Sequence, residues 1–331
     1  MSNLRAGAAY SCRVSDCVAH MFFLAVERFI LVIICILAAI DIVVISEKSI
    51  SVDITGYAIS FATGLTPILI AQYYRFCGRD ERLATALAAA GLYILFTIFA
   101  SVFNYLFLPI IFDPIDKLLM QIDGLMGYSW PAVVTLAATY PWAGKALYFV
   151  YMTTLPQLLV ILIVLGFTGE RKRLHCFLVT GALGALLSIG FWVFFPTFGA
   201  KTYHTLPEWV TLAIPLAVSP EYGQEVMRLG VEGVQYLSPR NILGLIDFPS
   251  FHIFMALMSV VFVPRHLLFI FTIGALNMLM PLAVLVQGGH HLSDIFGGIA
   301  CFAIVYPISR SIVNALTKLY MPTGASQVSV P

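Results

Sequence analysis

Phe248-Pro249-Ser250-Phe251-His252 and Gly288-Gly289-His290-His291-Leu292-Ser293-Asp294 are two polar knots in an otherwise apolar run. About 35 residues separate them, broken only by Pro264-Arg265-His266. At 1.5 Å per helical residue, that length suits two membrane-crossing helices folded as a hairpin. Such a hairpin leaves one membrane face at His252 and regains the same face near Gly288. Three imidazoles and a carboxylate then converge on one side, and the stretch reads as an active site.

The rest of the chain agrees with a membrane setting. It has 331 residues, of which 60% are hydrophobic and 11% charged, and its mean hydropathy is +0.93. A soluble domain carries about twice that charged fraction. Eight apolar stretches have the character of spans, at 29–46, 54–74, 84–108, 145–167, 175–196, 250–264, 266–286 and 292–313. The fold class that follows is all-α: a polytopic helical membrane protein with about eight transmembrane helices and a catalytic hairpin near the C-terminus. With the N-terminus inside, twelve basic residues fall on the inner side (Arg5, Arg13 and Arg171-Lys172-Arg173 among them) and six on the outer. The positive-inside rule therefore puts both termini in the cytoplasm and the histidines on the outer face, the periplasm if the membrane is a bacterial inner membrane. Met1–His20 lacks the order of a cleaved signal peptide, so the first span is expected to serve as an uncleaved anchor. Balanced charge, 18 basic against 17 acidic residues, gives no reason to expect a nucleic-acid partner.

No linker or repeat divides the chain, so residues 1–331 read as a single integral membrane domain with a catalytic core at about 145–315. Two segments do not span. Residues 113–144 look amphipathic and are expected at the outer interface, with Tyr128 and Trp130 at headgroup depth. Residues 198–247 form an outer loop able to fold over the site. Cys12 and Cys17 lack further ligands for a metal, and no cysteine falls in an outer loop to form a disulfide. Asp41 in the first span reads as a hydrogen-bonding packing residue.

The chemistry rests on a few side chains. Ser250 after Pro249 is a helix start whose free N–H groups attract a phosphate. Gly288-Gly289 can present backbone N–H groups to an anion. His290 and Asp294, four apart, share a helix face, and a carboxylate on one ring nitrogen fixes the tautomer and frees the other. His291 points elsewhere. His252 and His290 with Asp294 could also form a two-histidine, one-carboxylate metal set, a weaker reading because no further ligand is nearby.

Pro249-Ser250-Phe251-His252 and His290-x-x-x-Asp294 resemble the Pro-Ser-x-His and His-x-x-x-Asp motifs of the type 2 phosphatidic acid phosphatase (lipid phosphate phosphatase) superfamily. The Gly-Gly-His-His-x-x-Asp variant, and Asp123–Pro131 less specifically, are similar to the inositol phosphorylceramide synthase branch. The resemblance implies that His290 is a nucleophile forming a phosphohistidine, that Asp294 orients it, and that His252 protonates the leaving alcohol. Ser250 would help bind the phosphoryl oxygens, and the backbone of Gly289 and the His291 ring are the further phosphate-binding candidates read from the residues themselves. No cofactor and no metal is implied, and the partners would be a lipid phosphate and, for a transferase, an alcohol acceptor. Two departures stand out. The superfamily's Arg-Pro with its upstream Lys is missing, and Ala283-Val284 replaces the Ser-Arg pair before the last histidine. Arg240 is the substitute cation to expect, with Lys201 or Arg228 beside it. The function implied is a membrane lipid phosphatase or phosphotransferase; the alternatives are a non-catalytic transporter or scaffold and a degenerate family member.

Overall fold

The computed structural model describes residues 23–319. Arg5, Arg13, Cys12, Cys17 and the anchor reading of Met1–His20 lie outside the described residues. The chain is helical almost throughout. Three long helices come first, α1 (Ala25–Glu47), α2 (Ile54–Phe76) and α3 (Glu81–Tyr105). Asp53 and Asp80 cap α2 and α3 by accepting hydrogen bonds from Gly56 N and Arg82 N. A Cβ on Gly91 would lie 2.5 Å from the Gly64 carbonyl oxygen, so α2 and α3 pack backbone to backbone as membrane helices with small residues do. Glu27 of α1 clasps Arg75 of α2 through two hydrogen bonds of 2.7 and 2.8 Å, both side chains buried. Asp41, expected to hydrogen-bond, is instead buried with both carboxylate oxygens unpartnered.

Next come α4 (Asp116–Leu125), α5 (Trp130–Thr139), α6 (Pro141–Met152), α7 (Thr154–Phe167) and α8 (Arg171–Phe194). The long loop at 198–247 contains α9 (Ala200–Tyr203), α10 (Glu208–Ala213) and α11 (Pro220–Glu232). Its strand Tyr236–Leu237 pairs in parallel with Ser51–Val52. The hairpin and its continuation are α12 (Phe251–Val261), α13 (Leu267–Gln287) and α14 (Leu292–Leu319).

Among the described residues, six helices are long and apolar enough to span: α1, α2, α3, α8, α13 and α14. Two of the eight expected spans need correction. The stretch 145–167 belongs to a pair, α6 and α7, bent by 41°. Pro156 cannot donate to the Met152 carbonyl one turn back, which breaks the helix there. The stretch 250–264 contains a helix of only 11 residues, about 16 Å long, too short to cross. It stops before Pro264, and Arg173 donates to the carbonyls of Val261 and Val263 at 3.4 and 2.8 Å, satisfying the end of the helix.

Within residues 113–144, α4 turns apolar side chains outward and its acidic ones inward. Leu118, Ile122 and Leu125 face outward, while Asp116, Asp123 and Trp130 are buried. Trp130 packs with Val134, Val210 and Val286, and Tyr128 turns inward to the loop after α13. In a bilayer the apolar face of a helix points to lipid and the carboxylates must find partners inside.

Candidate active site

The turn between α13 and α14 carries the second knot. Gly289 has φ +67°, a left-handed conformation that reverses the chain, and a Cβ there would collide with the Lys201 side chain. Its carbonyl accepts a hydrogen bond from Lys201 N at 3.2 Å. His290 Nδ1 lies 2.8 Å from Asp294 Oδ2, so the pair expected from the four-residue spacing forms. With the proton on Nδ1, Nε2 keeps its lone pair. Burial lowers the His290 pKa to about 4 against the opposing pull of Asp247, and the ring is neutral at pH 7.

His252, in the first turn of α12, comes from the other knot. Its ring centroid lies 6.4 Å from that of His290 and 4.3 Å from the Tyr151 ring on which it stacks. The Tyr151 hydroxyl is 3.5 Å from His252 Nδ1. Lys201 of α9 is buried and donates from Nζ to Asp247 Oδ1 at 2.6 Å, and Asp247 in turn lies 3.7 Å from His290 Nδ1. His252, His290, Lys201, Asp247, Tyr151 and Tyr222 line one cavity of about 300 Å³. Met152 and Leu155, on either side of the bend between α6 and α7, also line it and are 52% and 62% exposed. The chamber thus combines a neutral imidazole, a second imidazole and a buried ammonium with an apolar rim.

Not every residue expected at the site is there. Arg240 is exposed, interacts with Asp53, and is not among the residues lining the cavity. Arg228 is engaged by Glu225 and Glu232 on the surface of α11. The cation at the cavity is Lys201, the secondary candidate. Ser250 is buried beside Asp294: its N–H donates to the Asp294 carbonyl at 3.1 Å, and its Oγ has no hydrogen-bond partner. His291 turns away from the cavity. Its Nδ1 lies 3.2 Å from Asp123 Oδ2 and its Nε2 3.2 Å from Asp116 Oδ1, leaving no ring nitrogen for a phosphate. Burial alone would lower its pKa, but the two carboxylates raise it to about 10, so it is an imidazolium.

This clasp is what sequence reasoning missed. Asp123 also accepts from Leu292 N at 3.0 Å, Ser293 N at 3.1 Å and Ser293 Oγ at 2.6 Å. It caps α14 from another helix, and the hydrogen bonds hold its carboxyl below the ordinary range despite burial. Asp116 accepts in addition from Phe198 N and Gly199 N, which fixes the start of the Lys201 segment. The available signal was two acids spaced seven apart, Asp116 and Asp123, in a stretch otherwise able to sit in lipid. Among the described residues, no three His, Cys, Asp or Glu side chains converge as a metal-ligand set.

The model of the PAP2 superfamily matches residues 117–308, a span that takes in α5 to α13, both knots, Lys201 and Asp123. The match is to the superfamily and does not single out the inositol phosphorylceramide synthase branch. No curated protein and no solved structure matches the chain. With more than half of its length matched, the chain belongs to the PAP2 superfamily, whose members are generally phosphatases acting on phosphate-bearing substrates.

Proposed function

We propose that this protein is a lipid phosphate phosphatase or phosphotransferase working through a phosphohistidine at the outer membrane face. One observation carries the reading: His290, held by Asp294 at 2.8 Å and left with a free Nε2, shares a cavity with His252 and the buried Lys201. In the first step His290 Nε2 attacks phosphorus and the bond from phosphorus to the lipid oxygen breaks; His252, whose pKa burial lowers to about 3 in the free protein, takes up a proton as the phosphate dianion binds and gives it to the departing alkoxide. Lys201 neutralises charge on the phosphoryl oxygens, the part the missing Arg-Pro and Ser-Arg cations would play. In the second step water or an alcohol attacks phosphorus, His252 takes its proton, and the bond from phosphorus to nitrogen breaks. Ser250 Oγ, buried without a partner beside Asp294, is not among the residues lining the cavity, and neither step draws on it.

Two features favour a lipid over a soluble ester. The cavity's rim is the exposed apolar pair Met152 and Leu155, and it opens at the bend of a membrane helix pair, where an acyl chain can stay in the bilayer. The residues of the cavity serve water and alcohol acceptors equally; the resemblance to the inositol phosphorylceramide synthase branch favours transfer. The outward orientation rests on the excess of basic residues on the other side.

The test uses purified protein and lipid phosphates labelled in the terminal phosphate, with and without alcohol acceptors. Wild type should release labelled phosphate or pass it to the alcohol. His290→Ala should lose at least about a thousandfold in rate, as expected on removing a covalent nucleophile. Equal turnover by wild type and variant would overturn the reading.

A further inference from the structure

A second cavity, of about 460 Å³, lies at the other end of the hairpin. Its lining includes Lys172 and Arg173 from the first turn of α8, Arg265 from the loop between α12 and α13, and Arg310 from α14. No carboxylate lines it. Arg310 is 16 residues beyond Asp294 on the same helix, roughly 24 Å from the catalytic cavity at 1.5 Å per residue. Four cations from three separate elements therefore face one space.

Two details show that this charge is unmet. Arg173 pairs with Glu170 at 2.7 Å and bonds two carbonyls, but Lys172, Arg265 and Arg310 form no ion pair among the described residues. Arg310 lies 5.7 Å from the Tyr306 ring and interacts with the Cys176 thiol, neither of which carries a negative charge to neutralise it. In addition, α8 begins with Arg171-Lys172-Arg173; its N-cap Glu170 pairs with Arg173 and Glu81 with Arg171, which leaves Lys172 as the member of the run with no acidic partner among the described residues. Val261, Phe262 and Val313 supply an apolar wall beside the cations.

We propose that this cavity binds a phosphate group, that of an anionic phospholipid headgroup in the leaflet opposite the catalytic histidines. The basic end provides the charge, and the wall of Val261, Phe262 and Val313 accommodates the glycerol and upper acyl chain. Basic pockets between membrane helices on the cytoplasmic side suit such headgroups. The site is distinct from the catalytic cavity in every lining residue.

The experiment uses the full chain in nanodiscs, with native mass spectrometry counting retained phosphatidylglycerol against phosphatidylcholine. Wild type should retain phosphatidylglycerol preferentially. Arg265→Gln with Arg310→Gln should weaken retention roughly thirtyfold, two cations lost near the surface. The double lysine variant, Arg265→Lys with Arg310→Lys, keeps the charge and should retain the lipid. Both variants should keep their thermal midpoints in phosphatidylcholine, since both arginines are exposed. Equal retention by the glutamine variant, or equal uptake of phosphatidylcholine by wild type, would overturn the proposal. A parallel arm adds inorganic phosphate to lipid-free protein in detergent. Stabilisation of wild type but not of the glutamine variant, without lipid retention, would assign the same phosphate site to free phosphate and refute the headgroup.

Discussion

Asp123→Asn tests the idea that a helix outside the catalytic hairpin sets the geometry of the active site. The substitution keeps shape and volume but removes the charge and one accepting oxygen. The carboxylate accepts from Leu292 N, Ser293 N and Ser293 Oγ and faces His291 Nδ1 at 3.2 Å. An amide can keep about half of these contacts. Two lost charge-assisted hydrogen bonds at about 1.5 kcal/mol each predict a loss of about 3 kcal/mol, within the range for breaking a buried ion pair.

The pH dependence makes the prediction specific. In the wild type the two acids raise His291 to about 10 from an ordinary 6.5. Between those values the folded protein holds a proton that the unfolded chain has lost. This group's stabilisation is complete below pH 6.5 and is lost as pH rises through about 10, at about 1.4 kcal/mol per pH unit. With one acid gone, the His291 pKa falls toward its ordinary value and the slope shrinks. Thermal unfolding of both proteins in detergent at pH 7 and pH 9 should therefore show the gap between them narrowing at the higher pH. A constant or widening gap would refute the imidazolium clasp. Because Asp294 sits one residue beyond the capped positions, turnover should also fall by about a hundredfold, the effect of an ångström-scale displacement.

Other outcomes follow from the same geometry. Lys201→Met should abolish turnover and destabilise the fold by about 3–5 kcal/mol, since it strands Asp247; adding Asp247→Asn should restore the thermal midpoint but not the activity. Arg240→Ala should change kcat/KM by less than about threefold, because the side chain is an exposed loop charge. Gly289→Ala combines an unfavourable φ of +67° with a clash against Lys201, and should cost about 1–3 kcal/mol together with most of the activity. His290, lowered to about 4, must be neutral to attack. The acid limb of kcat/KM should therefore lie near pH 4, with activity lost below it, and a limb near 6.5 would count against this assignment.

Membrane-spanning length and the i, i+4 relation of His290 to Asp294 are local properties, and the sequence alone determined them. Apolar runs announce helices because a bilayer leaves the backbone no other partner. Four residues on a helix start bring two side chains together whatever surrounds them. Where local rules compete, the sequence was less decisive: Pro156 broke one expected span, and Pro264 left another too short to cross. The cation at the catalytic cavity was not legible, because Lys201 reaches it through a reversal at Gly289, an Asp116 clamp and a partner 46 residues away in Asp247. Nor was the role of His291, whose neighbours lie 168 and 175 residues earlier. Such contacts depend on which helix packs beside which, and in a membrane nearly every apolar helix face is an acceptable surface. Only the packed structure decides which buried carboxylate meets which imidazole, because a charge withdrawn from water and lipid alike must find its partner inside the protein.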